Sequence, residues 1–378
     1  MTNLKDSSIL FIMHMPPPVH GAAMMGKYIH DSKLMTETFN CHYINLTTAK
    51  SLQDIGKGGI GKLWKFVKLL FLIVKTLLAV KPQLVYVTPN ACGGAFYKDF
   101  VVVQLIKAMG YKVVVHYHNK GVATRQDRWL DDKLYRRFFK GIKVILLAEA
   151  LYADVKKYVK RENVFICPNG IPETLIAEPS VERHNPVPRL LFLSNLLESK
   201  GVIVLLDALK ILKDKGYSFI CDFVGGETAE IDAARFEREV EQRGMNTIAI
   251  YNGRKYGEEK YSYWRTADLF VFPTYYPNEC FPLVLLEAMQ HGVPCISTRE
   301  GGIADIIDEG KTGWIVERED ANALADRMAT CLDKREETAL LGKNGYEKYI
   351  QEFTLSQFEK RITNILLDNI QKTTYVQT

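Results

Sequence analysis

Short runs of β-branched and apolar residues alternate with longer stretches of helical period along most of this chain. In the first part they are SILFIM (8–13), LVYVT (84–88), KVVVHYH (112–118), KVILLA (143–148) and NVFIC (163–167). Runs of four to seven such residues, separated by helix-length segments, predict βαβ units and a parallel sheet. Between Pro168 and Arg189 the pattern stops, and Pro172, Pro179, Pro186 and Pro188 stand among few apolar residues, as in a linker. It then restarts with RLLFLS (189–194), FICDFVG (219–225), TIAIYNG (247–253), LFVFPT (269–274), PCIST (294–298) and GWIV (313–316), with helices between them, one from about Lys200 to Lys215. The expectation is an α/β protein of two doubly wound, Rossmann-like domains. Sheets of this kind bind ligands beyond the carboxyl ends of their strands, so a cleft between the two domains is where chemistry is expected.

Composition supports a globular chain. Its 378 residues are 47% hydrophobic and 25% charged, which excludes wholesale disorder and fibrous repeats. The seven cysteines form no C-x-x-C and no His/Cys cluster at metal-ligand spacing, so reduced thiols of a cytoplasmic protein are expected and no metal site is. The apolar stretch 9–13 runs into prolines and lacks a small-residue cleavage site, unlike a signal peptide.

Charge divides the chain. Residues 1–180 hold 25 Lys and Arg against 13 Asp and Glu, a balance of +12, and the remainder has 24 against 31, a balance of −7. The segment GKLWKFVKLLFLIVKTLLAVK (61–81) is strongly apolar, yet Lys65, Lys68 and Lys75 interrupt it. It is therefore expected to lie on a membrane surface or inside a fold, not to cross a bilayer. A second basic stretch, 125–143, mixes Arg128, Lys133, Arg136, Arg137 and Lys140 with Trp129, Leu130, Tyr135, Phe138 and Phe139. That mixture suits anionic headgroups, and equally two ordinary packed helices with solvated cations. No nucleic-acid motif accompanies the charge, so nucleic acid is not an expected partner.

Two glycine-rich signals differ in worth. Gly56-Lys57-Gly58-Gly59-Ile60-Gly61 satisfies G-x-G-x-x-G but follows polar TTAKSLQD, not a strand, and the acidic residue required about 20 positions on is absent, so a surface loop is expected. NECFPLVLLEAMQHGVP (278–294) is the stronger signal. Glu279 falls in the loop after the strand LFVFPT, and Pro282 stands where a first helical residue is expected. Glu279 thus precedes a helix N-terminus able to receive a phosphate. Glu287 is the one charge inside LVLLEAM, where a buried carboxylate needs a polar partner, either a ligand hydroxyl pair or a salt bridge in the core.

These residues carry a resemblance. Residues 266–316, with E-x7-E, the HGVP strand entry, Gly301-Gly302 and the turn Glu309-Gly310-Lys311-Thr312-Gly313, resemble the C-terminal half of the family 4 retaining glycosyltransferases of bacterial polysaccharide and glycolipid assembly. LFLSNLLESKGVIVLLDAL (191–209) resembles the family's phosphate-binding loop, PNGIPE (168–173) its hinge and HMPPPVHGAAMMGKYI (14–29) its first loop. The resemblance implies the GT-B fold, with an acceptor-binding domain at 1–172, a donor-binding domain at 173–354 and a terminal helix of about 355–372 packing back on the first. It implies transfer, without metal or cofactor, of a sugar from a nucleotide-diphosphate sugar, UDP favoured, to an acceptor. The basic, aromatic first half suits a lipid-linked polyprenyl diphosphate glycan at the cytoplasmic membrane face.

The resemblance also implies roles. Glu279 would contact the donor sugar, Glu287 the ribose and Lys200 the leaving diphosphate, with Cys280, Phe281, Gly301, Gly302 and Gly21 lining the donor. The family's arginine in G-R-L-x-x-x-K is replaced here by Asn195, and an amide cannot supply charge. Arg254 or Lys255 is the expected substitute. A histidine near the donor sugar is expected at His118, with His116 and His20 as alternatives. A non-catalytic nucleotide-sugar or membrane-surface module, or a nucleotide-sugar epimerase of similar build, stays open.

Overall fold

The computed structural model describes residues 7–17, 21–46, 60–173 and 185–371. The proposed loop at Gly56–Gly59, His20 and the polar tail after Gln371 lie outside them. The chain divides into two compact units, one formed by residues up to Asn169 together with those from Leu355 onward, the other by Gly170–Thr354. The boundary falls inside PNGIPE, because Ile171 and Pro172 already belong to the second unit. Ile171 N–H donates to the Phe353 carbonyl at 3.0 Å, and the Pro172 carbonyl accepts from Gln290 Nε2 at 2.7 Å.

The first unit holds a six-stranded parallel sheet in the order β2-β1-β3-β4-β5-β6. Its strands are β1 (Ser8–Met13), β2 (Asn40–Asn45), β3 (Leu84–Val87), β4 (Val113–His116), β5 (Lys143–Leu146) and β6 (Val164–Ile166). β1, β3 and β4 are buried along almost their whole length, which is why they read as continuous apolar runs. β2 pairs only with β1, at the sheet edge, and is largely half-exposed, so its sequence NCHYIN carries no apolar run. The reversal of strand order beside β1 is the switch point of a doubly wound sheet.

Three helices of this unit matter below: Ile60–Val80, Gly93–Ala108 and Trp129–Phe139. They connect β2 to β3, β3 to β4 and β4 to β5, and successive right-handed crossovers in one direction put them on one face of the sheet. Side chains tie them together. Tyr111 Oη donates to the Leu77 carbonyl at 2.7 Å, Tyr97 Oη to Asp131 Oδ1 at 2.6 Å, and Lys107 Nζ to the carbonyls of Arg137, Phe138 and Lys140. The terminal helix Leu355–Gln371 packs against the Lys33–Thr38 helix, with the buried Thr363 hydroxyl 3.7 Å from Met35 Sδ.

The second unit holds another six-stranded parallel sheet, ordered β12-β11-β10-β7-β8-β9. Its strands are β7 (Arg189–Leu193), β8 (Ile220–Val224), β9 (Ala249–Tyr251), β10 (Leu269–Phe272), β11 (Cys295–Thr298) and β12 (Gly313–Val316). The switch point lies between β7 and β10. The loops that follow these two strands therefore diverge around a natural ligand position.

Candidate donor site

Loops at the carboxyl edge of the second sheet bring most of the expected residues together. After β7 the chain makes a short turn at Glu198–Lys200 and enters the Val202–Asp214 helix through Gly201, whose φ of +88° is left-handed. A Cβ on Gly201 would stand 2.3 Å from the Pro273 carbonyl oxygen, so glycine is required where the β7 loop meets the end of β10. Tyr275 N–H donates to the Ser199 carbonyl at 2.8 Å and fixes the same contact.

This juxtaposition sets Lys200 Nζ 2.5 Å from Glu279 Oε2, with the Thr274 hydroxyl donating to the same carboxylate oxygen at 3.4 Å. Both side chains are largely covered. The ammonium also sits 4.5 Å from the centre of the Tyr276 ring. On the other side, the Gly302 N–H donates to the Cys280 carbonyl at 2.7 Å, and a Cβ on Gly301 would stand 2.3 Å from the Glu279 carbonyl oxygen. Lys200, Glu279, Cys280, Gly301 and Gly302 thus share one neighbourhood. Phe281 is buried and packs edge-on against Phe353 at 5.8 Å. Pro282 is extended (φ −69°, ψ 116°) and caps the helix Leu283–Gln290, so it precedes the first helical residue instead of occupying that position.

A second cation stands nearby along the sheet edge. Asn195 Oδ1 accepts from the Gly226 N–H and from Arg254 Nη2, each at 3.3 Å. The guanidinium lies flat on Gly226, where a Cβ would come within 2.1 Å of it. Among the described residues Arg254 makes no ion pair, whereas Lys255 lies 3.9 Å from Glu259. Of the two cations expected to replace the arginine absent at 195, Arg254 touches Asn195 and Lys255 leans on a carboxylate.

Glu287 sits in a separate environment. Its Oε1 accepts from Lys260 Nζ at 2.8 Å and its Oε2 from Trp264 Nε1 at 3.3 Å. The polar partner demanded by burial is thus present in the chain, as the salt-bridge alternative expects. A carboxylate has about four acceptor positions, so these two bonds leave capacity for ligand hydroxyls. Lys260 and Trp264 give no sequence signal, because they reach Glu287 from a helix more than 20 residues away.

In the first unit the carboxyl edge of the sheet carries the histidines. His116 ends β4, is fully buried, and its Nδ1 lies 2.7 Å from Tyr86 Oη. Burial, with the neighbouring His118, pushes its pKa well below the ordinary 6.5. The His118 ring lies tilted 4.3 Å away, and the residue is half-buried with both ring nitrogens covered. Beside it is a polar group that sequence reasoning missed. Buried Asp99 accepts from the Asn90 N–H and Nδ2, both at 2.8 Å, Asn90 Nδ2 lies 3.5 Å from His14 Nε2, and Asn119 Nδ2 donates to Asn90 Oδ1 at 3.3 Å. Gly21 opens its helix with no atom of the described residues within 4 Å of a Cβ placed on it, while the close approach falls on Gly26, whose Cβ would meet the His14 carbonyl at 2.0 Å.

All seven cysteines are free. Among the described residues no cluster of His, Cys, Asp or Glu could hold a metal ion, and no helix is long and apolar enough to cross a membrane.

Two parallel six-stranded α/β sheets in one chain, each with its own switch point, define the GT-B class of fold. Solved structures agree: a glycosyltransferase from Rickettsia africae superposes with a TM-score of 0.74 over 97% of this chain and 99% of its own, at 16% identity. HepE of Anabaena, solved in complex with UDP, gives 0.73 over 96% and 100%, at 15% identity. Residues 177–348, nearly the whole second unit, match the family model of the glycosyl transferases group 1. Relatives include the amylovoran biosynthesis glycosyltransferase AmsK of Erwinia amylovora, 27% identical over 58% of this chain and 55% of its own. The O-antigen chain mannosyltransferase C of Escherichia coli is 24% identical over 67% and 68%. The chain spans 55 to 64% of the length of AmsK and two other polysaccharide-assembly relatives.

Proposed function

We propose that this protein is a retaining, metal-independent glycosyltransferase of polysaccharide assembly. It moves a sugar from a nucleotide-diphosphate sugar, UDP favoured, to a lipid-linked polyprenyl diphosphate glycan, working peripherally at the cytoplasmic membrane face. The observation that carries the reading is the Lys200–Glu279 pair at the switch point of the second sheet. A carboxylate suits sugar hydroxyls and an ammonium suits a departing diphosphate. The two groups pair with each other, and a donor would engage both. Arg254 adds the second positive charge that a leaving diphosphate requires, so the site can stabilise it without a metal. The UDP bound by HepE supports a uridine donor, and the names of AmsK and its relatives support a growing glycan as acceptor.

In the transfer itself, the bond between the anomeric carbon and the diphosphate breaks. The acceptor hydroxyl oxygen then bonds the same face of the sugar as its proton passes to the departing diphosphate. Glu287, held by Lys260 and Trp264, turns its remaining acceptor capacity toward the ribose.

Thermal unfolding in the presence of UDP-, GDP- and ADP-sugars tests the donor, since a ligand bound only by the folded state raises its stability. Product analysis then separates the alternatives. A transferase makes a new glycoside, an epimerase changes the donor without an acceptor, and a binding module yields neither. No shift with any nucleotide sugar, together with no product, would overturn the proposal.

A further inference from the structure

Among the described residues, every exposed large apolar side chain of the first unit lies on its three neighbouring helices, Ile60–Val80, Gly93–Ala108 and Trp129–Phe139. The first of these is strongly apolar, with lysines on its exposed side. Its buried side, Leu69, Ile73 and Leu77, repeats every four residues and packs inward, while Trp64, Phe71 and Leu78 repeat every seven and are 59%, 71% and 61% exposed. Residues seven apart fall within about 20° of one another around a helix, so these three form one outward stripe. Lys68 and Lys75, four residues after Trp64 and Phe71, form a second stripe beside it, and Lys68 Nζ lies 5.5 Å from the centre of the Trp64 ring. At the start of the third helix the motif recurs, with Trp129 76% exposed and Lys133 Nζ 5.3 Å from its ring centre.

Along the first two of these helices the exposed charge has one sign, and of the two aspartates opening the third, Asp131 is buried and Asp132 is paired with Arg136 and Lys157. No acidic residue stands between Asp54 and Asp99, a stretch with seven lysines, and Asp99 itself is buried. Contiguous apolar surface of this kind marks an interaction site. We infer that this three-helix face docks on an anionic lipid bilayer, its aromatic stripe entering the headgroup layer and its lysines meeting lipid phosphates. A basic helix with a strongly apolar face lies in the interfacial plane in this way. The charge excludes the obvious competitor. A second copy of the chain meeting this face with its own would set lysine against lysine. The inference concerns the first unit alone and stands whichever sugar donor the second unit takes.

Flotation of the full chain with phosphatidylcholine vesicles, with and without phosphatidylglycerol, at about 0.1 M and 1 M salt, tests it. Binding to the anionic vesicles is expected at low salt, weakening strongly as the Debye length shrinks from about 10 Å to about 3 Å. Replacing Lys65, Lys68 and Lys75 by Gln should weaken that binding roughly 10²-fold at low salt. The pair Trp64→Ser and Phe71→Ser should weaken it at both salt concentrations. Circular dichroism and the nucleotide-sugar thermal shift, read on the same preparations, show whether each variant is folded and report the donor site separately. Wild-type protein that stays with the soluble fraction in all four conditions would overturn docking. So would a dimer in light scattering that Phe71→Ser dissociates, since the face would then meet a second copy.

Discussion

Asn195 Oδ1 holds Arg254 Nη2 at 3.3 Å over the backbone of Gly226. An amide oxygen accepts from a guanidinium without neutralising it, so the cation keeps its charge for an anionic ligand. Position 195 itself carries no positive charge, and the guanidinium that reaches it comes from the loop after β9.

Arg254→Ala is therefore expected to lower kcat/KM by about 10²-fold, the scale for one preorganised donor. Lys255→Ala should change it little, because Glu259 already engages that lysine. The double variant Asn195→Arg with Arg254→Ala should recover part of the loss. Steady-state kinetics of the four proteins check the relocation, and a defect for Lys255→Ala equal to that of Arg254→Ala would contradict it.

Removing either member of the Lys200–Glu279 pair leaves a largely covered charge without its partner. Each single substitution by Ala should cost about 1–3 kcal/mol of stability. The double variant should cost less than the sum, a coupling that urea titration of all four proteins measures. Lys200→Ala should also raise the transfer barrier by about 2–4 kcal/mol. Additive stability losses would mean the pair does not interact in solution.

At Gly201 the left-handed φ and the Pro273 carbonyl both oppose a side chain. Gly201→Ala should destabilise by at least about 1–2 kcal/mol and displace Lys200, its chain neighbour, so activity should fall as well. Ala at Gly21, where no atom of the described residues crowds the Cβ, should leave stability within about 0.5 kcal/mol of wild type. Melting temperatures of the two variants give the comparison.

The buried imidazole of His116 predicts an acid limb. Its pKa is depressed in the folded protein, so protons bind the unfolded chain more readily. Its contribution is complete above about pH 6.5 and declines as pH falls through 6.5 toward the depressed value, by up to about 1.4 kcal/mol per pH unit. The groups facing it are the Tyr86 hydroxyl and the His118 ring. His116→Gln should flatten the dependence between pH 6.5 and 5 in urea unfolding. An unchanged slope would assign the acid limb elsewhere.

The strands most plainly written in the sequence, β1, β3, β4, β10 and β11, are buried on both faces. β2 was not legible because an edge strand half open to solvent tolerates Asn, His and Asn in six residues. At the donor site, Glu279 was signalled by the strand, loop and proline around it, all local in sequence. The partnership of Glu287 with Lys260 was not, because it crosses two helices whose spacing only the folded unit sets. Likewise, Arg254 and Lys255 are equivalent as neighbours in a sequence, and only the glycine under one and the carboxylate beside the other distinguish them.

The helix Leu355–Gln371 follows the second unit in sequence yet belongs to the first. During synthesis, Gly170–Thr354 is therefore made as an unbroken piece while the earlier-made first unit still lacks one of its helices. The usual vectorial order is thus reversed for its last step. Of the two halves of this chain, the one begun first is the one finished last.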